Sequence, residues 1–595
     1  MASMCFFPCS ILHYKNPLAT TKGLDLCKPL RSSSPSKSVA VTEDESLVRR
    51  SANYAPPLWP FDHVQSLSSE YTGDDYEARA DSLKKAVKTM IQKVVMGNPV
   101  KRLELVDNLQ RLGISYHFEE EISQVLEMVY NDYYKNEEQW NGMDMNLKAL
   151  GFRLLRQHGH HVPQEIFLNF KHKTQNVKPQ SNDDNNHIVG MLNLYEASYH
   201  SFDDESILED VRNFTTKFLK ESLDTIDESS SLRSLISHAL ELPLHWRIGR
   251  LEAKWFIETY KETVNPTLME LAILDFNMVQ AINLQDLKDS SRWWRNTCWD
   301  KKLNFSRDRL VEGYMWTIGV WYLPKFSVGR RTLTKVNAII NAFDDIYDVY
   351  GTLNELQQFT DVITRWDINA VEELPDYMKI CFVGSYNVIN EMAYNTLVNT
   401  GVFILPYLNK GWEDLCKSYL VEAQWYQSGY TPTLKEYLDN ACISISVPVG
   451  LLHCNFLTYN YTSNQEILQY MEKSANIIHY SALILRLADD LGTSADEMAR
   501  GDNPKSIQCY MHETGATEDE ARSYMKTLMF KTWKKLNKER ADAAATSQFS
   551  LEFECAANLA RMAPFMYSQG DGYGSPELAK SHILSLLFNP IQGLN

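Results

Sequence analysis

The chain has no Gly-rich phosphate loop of the GxGxxG or GxxxxGK[ST] kind, few alternating Val/Ile/Thr runs bounded by hairpin turns, and no CxxC pair among its ten cysteines. The first two absences argue against a nucleotide-binding α/β fold. The third fits free thiols in a reducing interior better than a disulfide framework or a zinc site. No uncharged apolar run reaches about 18 residues, so no membrane span is expected. Positive charge is short as well. The 59 Lys and Arg stand against 76 Asp and Glu, for a net charge of −17. The basic residues form no stripes, so nucleic acid is not expected as a partner. His158, His160 and His161 sit together in "HGHH", but no cysteine or carboxylate has ligand spacing to them. A glycine turn between helices is the expectation there.

What is present is helical. "ADSLKKAVKTMIQKVV" and "VKRLELVDNLQRLG" repeat apolar residues at three- and four-residue spacing with charges between them. The composition, 44% hydrophobic and 11% aromatic, supports large cores, and 595 residues suit two or more domains. The chain therefore reads as all-α. Polar loops are expected at 177–187 and 224–234, and "KETVNPTL" (261–268) marks a boundary between two helical domains. The first 41 residues are rich in Ser, Lys and Arg with one acid, Asp25, and lack the continuous apolar core of a secretory signal. That composition suits an organellar transit peptide, taken as residues 1–48. The domains would then be 49–265 and 266–595.

The unusual chemistry lies in the second domain. In "NAFDDIYDVYG" (341–351), Asp344 and Asp348 are four positions apart, so a helix puts both carboxylates on one face. Like charges at that spacing oppose folding by a few tenths of a kcal/mol, on the order of 0.2–0.5. A hard cation such as Mg²⁺ would offset this, since it takes carboxylates together with water and phosphate oxygens. Alone, such a cluster is more often a wet helix edge. A second stripe changes that reading: Asp489, Thr493 and Glu497 fall at i, i+4 and i+8, with Arg486 near them. Arg307 and Arg309 ("RDR") precede the first cluster and Lys505 follows the second. Arginine cannot ligate a metal but grips phosphate in a fork. No nucleophile or general base accompanies the set. The chemistry this implies is ionisation of a diphosphate leaving group with metals neutralising the departing charge.

Over nearly its full length the chain resembles the plant class I terpene synthases. "DDIYD" matches that family's DDxxD motif and "DDLGTSADE" its (N/D)Dxx(S/T)xxxE motif. Arg309 lies 35 residues before Asp344, and Arg49, Arg50, eight residues and Trp59 form the RRx8W signature of angiosperm monoterpene synthases. The resemblance implies a catalytic α-bundle preceded by a helical relic domain without catalytic residues. It implies three Mg²⁺ or Mn²⁺ ions among Asp344, Asp345, Asp348, Asp489, Thr493 and Glu497. Asp344 and Asp348 would be direct ligands, while Asp345 would act from behind them by pairing an arginine. Arg309, Arg486 and Lys505 would grip the diphosphate, Arg307 would help to bind it and close the site, and the Arg49–Arg50 strand would cap it. Trp316, Tyr567 and Tyr573 match pocket aromatics that steady carbocations by cation–π attraction. Pro448 would break its helix and expose carbonyls to the pocket.

Asn337 and Asn341 stand seven and three residues before Asp344, near the same helix face. Asn at position 337 occurs in cineole-forming and in some limonene-forming relatives. Isoprene synthases carry Phe at the positions of Asn337 and Leu485; neither is present, which argues against a C5 substrate. The expected reaction is isomerisation and cyclisation of geranyl diphosphate in the plastid stroma, to limonene or another α-terpinyl product. Water capture to linalool or cineole is the alternative. A sesquiterpene synthase acting on farnesyl diphosphate and a non-enzymatic helical scaffold are more distant readings. The expected oligomeric state is a monomer or homodimer.

Overall fold

In the computed structural model the described residues are largely helical, and no strand forms among them. The structure describes residues 49–593 except 53, 96–97, 136, 169, 171–184 and 547–549. The expected transit segment and most of the expected loop at 177–187 lie outside the described residues.

Local sequence explains where helices begin and end. Helix α1 (Asp74–Val95) opens on acidic residues, which complement the positive end of the helix dipole. Helices α2 (Pro99–Arg111) and α3 (Met145–Gln157) are capped by Asn98 and Asp144, whose side chains accept from Val100 and Leu147 amides. At "HGHH", α3 ends and Gly159 takes φ +80; a Cβ there would meet Ala544. The turn needs glycine for its backbone and for its neighbour.

The break expected near 261–268 is a helix break. Helix α4 (Gly249–Tyr260) ends, and Asn265 caps α5 (Pro266–Thr297), which has proline at its start. The hydrophobic core does not break there. One buried cluster takes in Leu103, Phe152, Leu194 and Ile257 together with Leu271, Tyr314, Met562 and Leu587 from beyond that point. Residues 48–595 accordingly form one compact unit.

A second core holds the catalytic-half helices: α6 (Leu310–Val320), α7 (Ser327–Asp345), α8 (Leu405–Ser428), α9 (Leu434–Ser444), α10 (Val447–Thr458), α11 (Asn464–Arg500), α12 (Glu518–Thr546) and α13 (Ser550–Tyr567). Helix α7 packs on α6 and α10, α13 packs on α6, α10 and α11, and α8 packs on α10. Several of these helices enclose a cavity. By length and mean hydropathy (1.5) the stretch Leu434–Thr458 is apolar enough to cross a membrane, but 61% of its most apolar window is buried. It is also two helices, α9 and α10, parted at Ser446 in the left-handed region (φ +65). Pro448 has no N–H to offer the Ser444 carbonyl, so one helix cannot run through.

Candidate active site

A cavity of about 220 Å³ opens between α6, α7, α8, α10, α11 and α13. Its walls divide by chemistry. Trp316, Leu333, Ile340, Leu451, Leu485 and Leu559 make an apolar part, whereas charged side chains gather at the other. Of the residues singled out in the sequence, Arg307, Trp316, Asn337, Asn341, Asp344, Asp348, Arg486, Asp489, Thr493, Glu497, Lys505, Tyr567 and Tyr573 all line it.

The first carboxylate wall is the end of α7, continued by a π-type turn over Ile346–Tyr350. Asp344 and Asp348 face the cavity, as four-residue spacing dictates. Asp345 points the other way and is fully buried. It accepts hydrogen bonds from Ser306 Oγ (2.8 Å) and the Arg307 amide (2.7 Å), and it pairs with Arg307 Nε at 2.8 Å. Arg307 also pairs with Asp344 and lies 4.8 Å over the Tyr54 ring. Asp348 is exposed at the cavity. Enclosure by the walls and the nearby Asp344 charge push its carboxyl well above the usual carboxylate range.

The second wall is the middle of α11. Arg486 pairs with Asp489 and, at 2.8 Å, with the fully buried Asp490. Asp490 is fixed in turn by Tyr437 Oη (3.0 Å) and the Ser506 amide (3.1 Å). Thr493 Oγ1 donates to the Asp489 carbonyl at 2.9 Å. Glu497 and Lys505 approach to 3.7 Å. Burial opposes both charges, but Lys505 and Arg486 lower the Glu497 carboxyl while Glu497 raises the Lys505 ammonium. The pair is ionised. Gly492, inside this motif, lets α11 lie against α13: a Cβ there would stand 2.6 Å from the Tyr567 carbonyl.

Arg309 departs from expectation. It is 3% exposed and does not line the cavity. Its guanidinium donates to the carbonyls of Asp308 (3.0 Å), Ala55 (2.8 Å) and Gly574 (3.2 Å). It fastens the N-terminal segment to the 571–574 loop, and the cavity-facing arginine of "RDR" is Arg307. Two residues apart in an irregular segment, the two side chains point apart, which spacing alone could not reveal.

The irregular segment from residue 49 lies across the site. Arg49 forks onto Glu355 with two bonds of 2.8 Å and donates to the Tyr350 carbonyl at 3.0 Å. Arg50 donates to the Asp348 carbonyl (3.0 Å) and to Asp502 (2.9 Å), so one side chain ties both carboxylate walls. Trp59 donates from Nε1 to Glu312 at 3.1 Å, away from the cavity. Burial pushes the Glu312 carboxyl up to about 7.

Sequence reasoning missed Tyr419, Glu422 and Asp571, all of which line the cavity. Glu422 is buried, takes Ser444 Oγ (2.5 Å) and Asn440 Nδ2 (3.0 Å), and its carboxyl is raised by burial. Nothing in "YLVEAQWY" marks it, because its importance comes from where α8 sits. Asp571 accepts from the amides of Tyr573 and Gly574, and a Cβ on Gly574 would run into its carboxylate.

Among the described residues no three His, Cys, Asp or Glu converge closely enough to hold an ion by themselves. The two walls are half-sites facing each other. Glu497 Oε2 is buried without a hydrogen-bond donor, and Asp344 and Asp348 carry mutually repelling charge. Such a set fits a divalent cation that completes its shell with ligand oxygens and water.

Comparison with known proteins agrees with this geometry. The model of the terpene synthase N-terminal domain matches residues 58–240, and that of the terpene synthase metal-binding domain matches 295–535. The chain is 61% identical to the chloroplastic R-linalool synthase QH5 of Artemisia annua over 100% of both chains. Its fold matches a limonene synthase crystal structure with 2-fluorolinalyl diphosphate (TM-score 0.85, 43% identity, 92% of this chain and 100% of that one). It also matches the isoprene synthase of grey poplar in complex with three Mg²⁺ ions and dimethylallyl-S-thiolodiphosphate (TM-score 0.78, 39% identity, 90% and 100%).

Proposed function

Because the chain belongs to the terpene synthase family, and its cavity joins a charged pole to an apolar one, we propose that it ionises geranyl diphosphate and releases a monoterpene and diphosphate. The observation that carries this reading is the pairing of two carboxylate walls with Arg307, Arg486 and Lys505 around a single cavity that also holds an apolar part made by Trp316, Leu333, Ile340, Leu451, Leu485 and Leu559. We assign residues 49–265 to the helical relic domain and 266–595 to the catalytic domain. The relative's designation as chloroplastic supports a plastid enzyme.

Asp344 and Asp348 on one wall, and Asp489, Thr493 and Glu497 on the other, would hold Mg²⁺ or Mn²⁺, three by analogy with the isoprene synthase complex. Once bound, the ions would neutralise the diphosphate as its carbon–oxygen bond breaks. The protein's own part is positioning. Arg307, Arg486 and Lys505 each stand paired to a carboxylate, held ready to donate to diphosphate oxygens. Asp345 locks Arg307 from behind through its amide and its Nε, and Ser306 Oγ holds Asp345 in turn. Trp316 and Tyr567, with ring centroids 6.3 Å apart, offer π faces to the carbocation and no nucleophile strong enough to trap it. The Arg49–Arg50 segment shields the charged pole, where exclusion of water strengthens every ionic contact.

Two products fit. Capture of water gives linalool, favoured by the 61% identity to an R-linalool synthase. Cyclisation through an α-terpinyl cation gives limonene, favoured by the likeness to limonene synthase. Incubating the chain without its first 48 residues with geranyl, neryl and farnesyl diphosphates and Mg²⁺, then analysing volatiles by gas chromatography, tests the reading. Monoterpenes from geranyl diphosphate are expected. Turnover of farnesyl diphosphate alone, or of nothing, refutes it.

A further inference from the structure

Asn337 and Asn341 line the cavity from one face of α7, one turn apart. Their amides are used differently. Asn337 Nδ2 donates to the Gly313 carbonyl (3.1 Å) and to Thr317 Oγ1 (3.2 Å), stitching α7 to α6. Asn341 Nδ2 donates to the Arg307 carbonyl at 2.8 Å. A carbonyl only accepts, so this bond fixes which end of the Asn341 amide is nitrogen and turns its oxygen elsewhere. That oxygen is buried and no group of the protein donates to it, while Asn341 as a whole is 6% exposed. A buried amide oxygen left without a donor destabilises the fold unless a bound molecule supplies one.

Resting on the monoterpene synthase reading above, we propose that Asn341 Oδ1 holds the water that attacks the carbocation, and so sets the balance of alcohol against olefin. The water donates one hydrogen to Oδ1 and keeps a lone pair for the cationic carbon. As that lone pair forms the carbon–oxygen bond, the resulting oxonium passes a proton to the released diphosphate. The balance is geranyl diphosphate plus water giving a C10 alcohol plus hydrogen diphosphate. A neutral amide suits the task. It orients water without removing a proton from the cation, which a carboxylate at the same place would do and so yield olefin.

The test reads the alcohol-to-olefin ratio, which is independent of total rate, for wild type, Asn341→Ala, Asn341→Leu, Asn341→Ser and Asn337→Ala, in oxygen-18 water. Wild type is expected to give labelled alcohol. Asn341→Ala and Asn341→Leu lower the ratio by about tenfold or more, since small barrier differences redirect the cation. Asn341→Ser retains an acceptor and stays within roughly threefold of wild type, and Asn337→Ala shifts the ratio less than Asn341→Ala. If Asn341→Leu does not fold, the Ala and Ser variants carry the comparison. An unchanged ratio in Asn341→Ala, unlabelled alcohol, or a wild type making olefin alone overturns the proposal. So does a change confined to Mg²⁺ dependence, which would make the amide a metal ligand. Failure of the wild type to turn over geranyl diphosphate at all would instead remove the underlying reading, and this inference with it.

Discussion

Glu312 is a buried carboxyl that accepts a hydrogen bond from the Trp59 indole at 3.1 Å, and burial raises it from its ordinary 4.5 to about 7. Its sign follows from linkage. Between those two values the folded state holds the proton while the unfolded chain has lost it, so stability falls as pH rises through that window and levels off above about 7. At about 1.4 kcal/mol per pH unit, the full effect is roughly 3 kcal/mol, of which about 2 develops between pH 5.5 and 8. Glu312→Gln keeps an oxygen for Trp59 Nε1 and does not titrate. Its stability relative to wild type should therefore grow by about 2 kcal/mol from pH 5.5 to pH 8 in urea titrations. A difference that stays constant across that range would refute the burial argument.

Three other outcomes are expected. Asp489→Ala removes an oxygen from the second carboxylate wall and leaves Arg486 with Asp490 alone; kcat/KM should fall by about 10³ or more without loss of helical signal, and an unchanged rate with an unchanged Mg²⁺ requirement would contradict that role. Arg50→Ala and Asp502→Ala each cut the tie between the N-terminal segment and the turn that follows α11, so each should lower kcat/KM by roughly three- to tenfold, and the double variant should be no worse than the poorer single one; additive losses would show that the contact does not couple them. Gly492→Ala pushes a methyl at the Tyr567 carbonyl, which should cost about 1–3 kcal/mol of stability by thermal melts and raise the Mg²⁺ requirement; a variant as stable as wild type would mean that α11 and α13 separate easily.

How much of this was legible beforehand depended on the range of the interaction. Asp344, Asp348, Asp489, Thr493 and Glu497 face one cavity because four-residue spacing fixes a helix face, and that is local geometry. The all-α architecture was readable for the same reason, as was the glycine turn at "HGHH". Glu422 escaped notice because its surroundings are Ser444, Asn440 and Lys505, which reach it only when α8 packs beside α9 and the segment following α11 returns to α8.

By itself, then, the sequence determined the helices, the two metal-type stripes and the identity of the chemistry, since spacing and side-chain charge are properties of a few consecutive turns. Tertiary structure decided what long-range packing controls. It chose Arg307 over Arg309 for the cavity and gave Arg309 to the carbonyls of Ala55 and Gly574. It let one core run through the helix break at 260–266. It brought Arg50 to Asp502, 452 positions away. It also stitched Asn337 to α6 while leaving the Asn341 oxygen unpaired, a distinction that rests on Gly313, Thr317 and Arg307, three neighbours no helical period can supply.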